Sequence, residues 1–253
     1  MENMGEKQMK KIVIGIIIVA ALGLAGYVGY AGANSSAKDK VAKPVVTNTT
    51  EAKPDTHAST ASATIKTPEE ALNLLKVGNQ RFVEDKSTVN NVSTQRRKEL
   101  ENGQHPYATI ISCSDSRVTP ALVFNAGLGD IFDIRLAGNV VDDSALGSIE
   151  YAVDHLHTPV IVVMGHEKCG AVTAAYDQVV KGQEAHGHVE DLVDEIEPAV
   201  KKNGTIDEAI RQNVVDVVAE VKKDPVVAKA IKAGQVKVVG AYYDLDGRVT
   251  FNN

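Results

Sequence analysis

Four apolar runs, at residues 107–112, 131–136, 160–165 and 236–243, constrain this chain more than any other feature. Each has strand length, and the runs at 107–112 and 160–165 are apolar on both alternating faces, which predicts burial from two sides rather than one. Helical patterns lie near 144–156, 170–181, 188–201, 206–222 and 226–233. Strands alternating with helices predict an α/β fold, a mostly parallel β-sheet flanked by helices. Asp246-Gly247, between Ala241–Leu245 and Arg248–Phe251, carries a type I′ hairpin signal and adds an antiparallel edge strand.

The domain boundaries follow from helix-start chemistry and composition. Thr67-Pro68-Glu69-Glu70 is a capping box with proline at the first helical position. Leu72, Leu75, Val77 and Phe82 are expected to form the apolar stripe of the helix that follows. Thr205 with Glu208 and Asp224 before Pro225 mark two further helix starts. Residues 67–253 suffice for one α/β core.

Upstream, Lys7, Lys10 and Lys11 precede residues 12–33, which hold no charge. This is the pattern of an export signal. Ala31-Gly32-Ala33 offers a small-x-small cleavage site, and the apolar run is also long enough for an uncleaved membrane anchor. Residues 34–66, rich in Ala, Ser, Thr, Lys and Pro, read as a disordered linker. Either form of the first segment places the domain outside the cytoplasm, in the periplasm, on the cell surface or secreted, with or without a membrane tether. The net charge of −6 gives no basic face and argues against nucleic acid as a partner.

The chain has two cysteines, and each stands just past the carboxyl end of a predicted strand. Cys113 opens Cys113-Ser114-Asp115-Ser116-Arg117, and Cys169 closes Gly165-His166-Glu167-Lys168-Cys169-Gly170. In an exported protein the default for two cysteines is a disulfide. Their neighbours favour a metal instead, because a structural disulfide has no use for a nearby histidine, carboxylate and guanidinium. Two thiolates and one imidazole are the three ligands a catalytic Zn²⁺ takes while a fourth position stays open. Cys169 also begins a helix, where the dipole favours a thiolate. Asp115 and Arg117 stand at two-residue steps from Cys113, which in an extended segment would point them toward the metal. The carboxylate could then accept a hydrogen bond from metal-bound hydroxide, with the guanidinium holding it ionised.

Two other signals weigh less. Gly127-x-Gly129 lacks a third glycine, since Phe132 stands there, and precedes a strand rather than following one, so it is no dinucleotide site. His186 and His188 read as part of a solvated loop, with a proton-transfer role left open.

The combination C-S-D-S-R and G-H-x-x-C-G resembles β-class carbonic anhydrase. Supporting stretches are Gly78-Asn79-Gln80-Arg81-Phe82, Gly129-Asp130-Ile131-Phe132, Ala137-Gly138-Asn139, Glu150-Tyr151-Ala152-Val153 and Tyr243-Asp244-Leu245. The likeness spans residues 67–253 and leaves the export segment and linker outside it. It implies a zinc lyase that hydrates carbon dioxide reversibly to bicarbonate and a proton. By it, Cys113, His166 and Cys169 are the ligands of one Zn²⁺ per chain, and Asp115 with Arg117 is the catalytic dyad. The same resemblance assigns Gln104, Phe132 and Tyr151 to a plant-type substrate pocket partly completed by a second subunit. Gly170 supplies a backbone N–H to the substrate. A homodimer or higher homo-oligomer is implied. The alternatives are hydrolysis of a CO₂ analogue, carbon disulfide or carbonyl sulfide, on the same scaffold, or an exported zinc-binding module without catalysis.

Overall fold

A computed structural model of the chain describes residue 65 and residues 67–88, 91–202 and 204–252. The expected export segment lies outside the described residues, as does the linker apart from Ile65.

The domain opens with helix α1 (Pro68–Val83), started by the predicted capping box: the Thr67 hydroxyl accepts from the Glu70 N–H, and the Glu70 carboxylate accepts from the Thr67 N–H. Its buried stripe is Ala71, Leu72, Leu75, Gly78 and Asn79. Val77 was expected in that stripe but lies 40% exposed, because a period of 3.6 places positions 71, 75 and 78–79 on one face. Two short helices escape the apolar pattern, α2 (Thr94–Glu99) and α3 (Pro120–Val123), which are too brief to show a period.

Strands β1 (Ala108–Ser112), β2 (Ile131–Arg135), β3 (Val160–His166), β4 (Lys237–Tyr243) and β5 (Val249–Asn252) form one sheet in the order β2-β1-β3-β4-β5. The first four are parallel and β5 is antiparallel to β4. Chain order therefore reverses between β1 and β3: the chain leaves β1 toward β2 on one side and returns to β3 on the other. Such a switch point opens a crevice at the carboxyl ends of the two strands, where α/β proteins place their ligands.

The edge hairpin differs from its sequence signal. Asp244 N–H donates to the Arg248 carbonyl and Gly247 N–H to the Asp244 carbonyl, both at 2.9 Å, leaving a three-residue loop. Only Gly247 has positive φ, at 104°, whereas a two-residue type I′ turn would require it of Asp246 as well. The arrangement is a turn followed by a glycine bulge.

Helices α4 (Asp143–Asp154), α5 (Gly170–Lys181), α6 (His188–Lys201), α7 (Ile206–Lys223) and α8 (Pro225–Lys232) complete the layers. One sheet face packs Ile110, Val162, Met164 and Ala241 against Leu72 and Leu75 of α1. The other packs Ile111, Ile161, Val163 and Val238 against α4, α7 and α8. A third cluster joins Val172 of α5, Ile196 of α6 and Ile210 of α7 to Cys113 and Cys169. Helix α7 rests directly on the sheet because Gly165 has no side chain. A Cβ there would stand 2.6 Å from Cγ2 of Val214.

Candidate metal centre

Cys113 follows the last residue of β1 and His166 is the last residue of β3, so both emerge at the switch point. Lys168 takes the left-handed conformation, φ 55°, which folds the chain sharply from β3 into α5 and brings Cys169 back beside His166. The Sγ atoms of the two cysteines and a ring nitrogen of His166 all lie within 4.8 Å of one another. A tetrahedral zinc ion needs such atoms roughly 3.5–3.8 Å apart, given Zn–S near 2.3 Å and Zn–N near 2.0 Å. Both cysteines are free and buried, which removes the disulfide alternative.

The imidazole is set for a cation. Its Nδ1 lies 2.9 Å from the Glu167 carbonyl, which accepts the ring proton and leaves Nε2 with a lone pair. Nε2 is buried and has no hydrogen-bond partner. A buried nitrogen of this kind is costly unless something fills the space before it, and a metal ion does so. The sulfurs agree. The Cys113 thiol is drawn well below the usual thiol range, chiefly by the hydrogen bond from Cys169 and further by His166 and by the Gly138 N–H, against the effect of burial. The same shared proton, with burial, drives Cys169 upward, while the N–H groups of Val172 and Ala171 oppose it. Two sulfurs this close to each other and to an imidazole nitrogen can exchange their protons for a divalent cation. The donor set fits zinc.

Beside the three ligands stands an ion pair. Arg117 donates from Nε to Oδ1 of Asp115 at 2.9 Å and from Nη2 to Oδ2 at 2.6 Å, and its backbone N–H also donates to Oδ1 at 2.9 Å. The Arg117 hydrogen bond holds the Asp115 carboxyl well below the usual carboxylate range. Oδ2 lies 3.9 Å from Nε2 of His166, so the carboxylate borders the metal position while remaining clamped to arginine. The two residues meet through a turn, in which the Val118 N–H donates to the Asp115 carbonyl at 3.0 Å, rather than through the expected strand alternation.

Residues to which the sequence by itself assigns no role hold this arrangement. Arg135, at the end of β2, donates to the main-chain carbonyls of Cys113 and Asp115 at 3.2 and 2.8 Å. Glu167 ties the His166–Cys169 turn to the edge hairpin, accepting from the Leu245 N–H at 3.1 Å. The Gly138 N–H donates to Cys113 Sγ at 3.3 Å.

The remaining predicted site residues divide. Gly170 begins α5 directly after Cys169 and is exposed at the centre. Gln104 is exposed in the loop before β1, at the amino-terminal edge of the sheet and away from the three ligands of its own chain. That edge also carries a cavity of about 540 Å³ lined by His105, Pro106, His157 and Gln235 among others. Phe132 and Tyr151 contact each other, ring centroids 6.3 Å apart, on the β2–α4 side, and Tyr151 is 47% exposed. His186 and His188 follow α5, which carries the chain roughly 18 Å away from Cys169 at 1.5 Å per residue.

Comparison with known proteins agrees with this geometry. The carbonic anhydrase family profile matches residues 108–249. A carbonic anhydrase of Mycolicibacterium smegmatis is 40% identical over 189 residues, covering 72% of this chain and 92% of that protein. Among solved structures, a β-carbonic anhydrase of Aspergillus fumigatus superposes with a TM-score of 0.56 at 27% identity, covering 73% of this chain and 91% of the other. One of two tetrameric β-carbonic anhydrases from Sordaria macrospora gives a TM-score of 0.58 at 23% identity, covering 72% and 96%. It supports the fold.

Proposed function

The chain belongs to the β-class carbonic anhydrases, and on that premise we propose how its own residues carry out the reversible hydration of CO₂ to bicarbonate and a proton. The observation that carries the reading is the buried, unpartnered Nε2 of His166 gathered with two thiol sulfurs. Zinc held by such a set acidifies water toward neutrality and so supplies the nucleophile that CO₂ needs.

The chain's contribution is placement. Asp115 stays ionised, acts only as a hydrogen-bond acceptor, and stands close enough to the metal position to orient an O–H there. Arg117 remains charged throughout and fixes the carboxylate in one plane. Burial of Cys113, His166 and Cys169 excludes bulk water from behind the metal.

Gln104, Phe132 and Tyr151 lie away from the metal ligands of their own chain, which supports a site completed by a second copy. In that assembly the amide of Gln104 would meet a substrate oxygen, and Phe132 with Tyr151 would keep the cleft apolar. The charge-free run at residues 12–33 behind three lysines supports an exported, extracytoplasmic domain on a linker. Fractionation of the expressing cells tests that placement, and recovery of the domain with cytoplasmic proteins would refute it.

The deciding experiment measures zinc content and CO₂ hydration on one preparation, with carbon disulfide and carbonyl sulfide as competing substrates. One zinc per chain with hydration of CO₂ is expected. A zinc-free protein, or one that turns over only the sulfur analogues, overturns the reading.

A further inference from the structure

Helix α7 contributes no ligand, yet one of its side chains reaches toward the metal centre. Asn213 is 2% exposed, and its Nδ2 donates to the main-chain carbonyl of Gly138 at 2.8 Å, a bond spanning 75 residues of sequence. Gly138 sits in a three-residue 3₁₀ turn (Ala137–Asn139) with φ 72° and ψ 15°. A Cβ on it would lie 2.6 Å from Cδ1 of Ile196 and 3.1 Å from Cβ of Ala171. The turn is thus enclosed by α5 and α6, held by its carbonyl from α7, and left with its N–H aimed at Cys113 Sγ.

We propose that Asn213 is a positioning residue that acts through Gly138: by fixing the Gly138 carbonyl it aims the adjacent N–H at the Cys113 sulfur. The consequence is electronic as well as geometric. An N–H bonded to a thiolate withdraws charge from sulfur, so the metal keeps more of its positive charge for water. Glycine without Asn213 could rotate this N–H away, since no Cβ limits it. The donor is well anchored, because α7 is pinned to β3 by the contact of Gly165 with Val214 one residue from Asn213. A purely structural role, satisfying one buried carbonyl, would leave the sulfur unaffected.

This inference rests on the zinc reading above, and its test separates the two. Cobalt(II) is loaded into the wild type, Asn213→Leu, Asn213→Ser and, as a control on the same helix, Val221→Ala. Loss of the Gly138 bond should move the sulfur-to-cobalt charge-transfer band to longer wavelength. It should also lower zinc affinity, measured in competition with a chromophoric chelator, by about 10–100-fold, the usual effect of removing an outer partner of a metal ligand. Val221→Ala, which opens a cavity away from Gly138, should leave both unchanged. Should neither Asn213 variant fold, cadmium-113 NMR of the wild type supplies the test through cadmium coupling to the Gly138 amide proton. Wild-type bands and zinc affinities in the Asn213 variants, or an uncoupled Gly138 amide, overturn the proposal while zinc binding stands. Failure of the wild type to take up cobalt or cadmium overturns the zinc reading and this inference with it.

Discussion

Arg117 reaches across the switch point to Lys168: its Nη2 donates to the Lys168 carbonyl at 3.3 Å while the same guanidinium clamps Asp115. One side chain thereby joins the segment after β1 to the left-handed turn between His166 and Cys169. The relationship makes the dyad part of the metal scaffold as well as of the reaction.

Asp115→Asn should therefore keep the metal and lose most of the rate. An amide can donate as well as accept, so it no longer enforces one orientation of a hydroxyl. A fall of about 10²-fold or more in kcat is expected, with unchanged zinc content, from the usual size of positioned proton-handling effects. Stopped-flow hydration beside metal analysis checks it, and full activity in the Asn protein would remove Asp115 from the mechanism.

The same pair sets an acid limit. The Asp115 pKa is depressed in the folded state, so the pair adds stability that is fully present above the ordinary carboxylate pKa and is lost as pH falls through the lowered one. Arg117→Met removes the main cause of that depression, so acid unfolding should begin at a higher pH than in the wild type. Unfolding is followed as pH falls from about 7 to about 2, and superimposable curves would contradict the assignment.

Metal removal should separate ligands from neighbours. Cys113→Ser and Cys169→Ser each should abolish zinc binding and hydration together. Chelation of the wild type should lower Tm and added zinc restore it, since the ion binds the folded chain in preference to the unfolded one. Thiol titration after unfolding in chelator should find both cysteines reduced, as the two free thiols require.

Gly165→Ala tests the seat of α7. Its Cβ would meet Val214 Cγ2 at 2.6 Å, and the overpacking should cost about 1–3 kcal/mol. In a domain of this size each kcal/mol lowers Tm by about 2–4 °C. Adding Val214→Ala should restore part of the loss, because it removes the atom struck. Equal stability of Gly165→Ala and wild type would show that the helix can shift at no cost.

Completion of the site by a second copy predicts complementation. A Cys113→Ser chain lacks metal but supplies Gln104, and a Gln104→Ala chain supplies metal. Mixed oligomers of the two should recover activity that neither shows alone. Recovery no greater than the sum of the separate proteins would return Gln104 to its own chain or exclude it.

The amino-acid sequence by itself determined the parallel α/β order, the helix starts at Thr67 and Thr205, and the two thiols and imidazole at strand ends. Those features are local: runs of apolar residues, caps within one turn, and rare side chains whose chemistry shows in any context. Tertiary structure decided what distance hides. Arg135 and Asn213 act on main-chain carbonyls, and Glu167 on a main-chain N–H, groups that every residue type presents alike, so no pattern reveals them. The three-residue hairpin loop and the turn joining Asp115 to Arg117 likewise depend on backbone angles that several turn types could have satisfied. Phe132 of β2 and Tyr151 of α4 bring their ring centroids within 6.3 Å only because the helix packs back beside its strand, a meeting that the chain between them conceals.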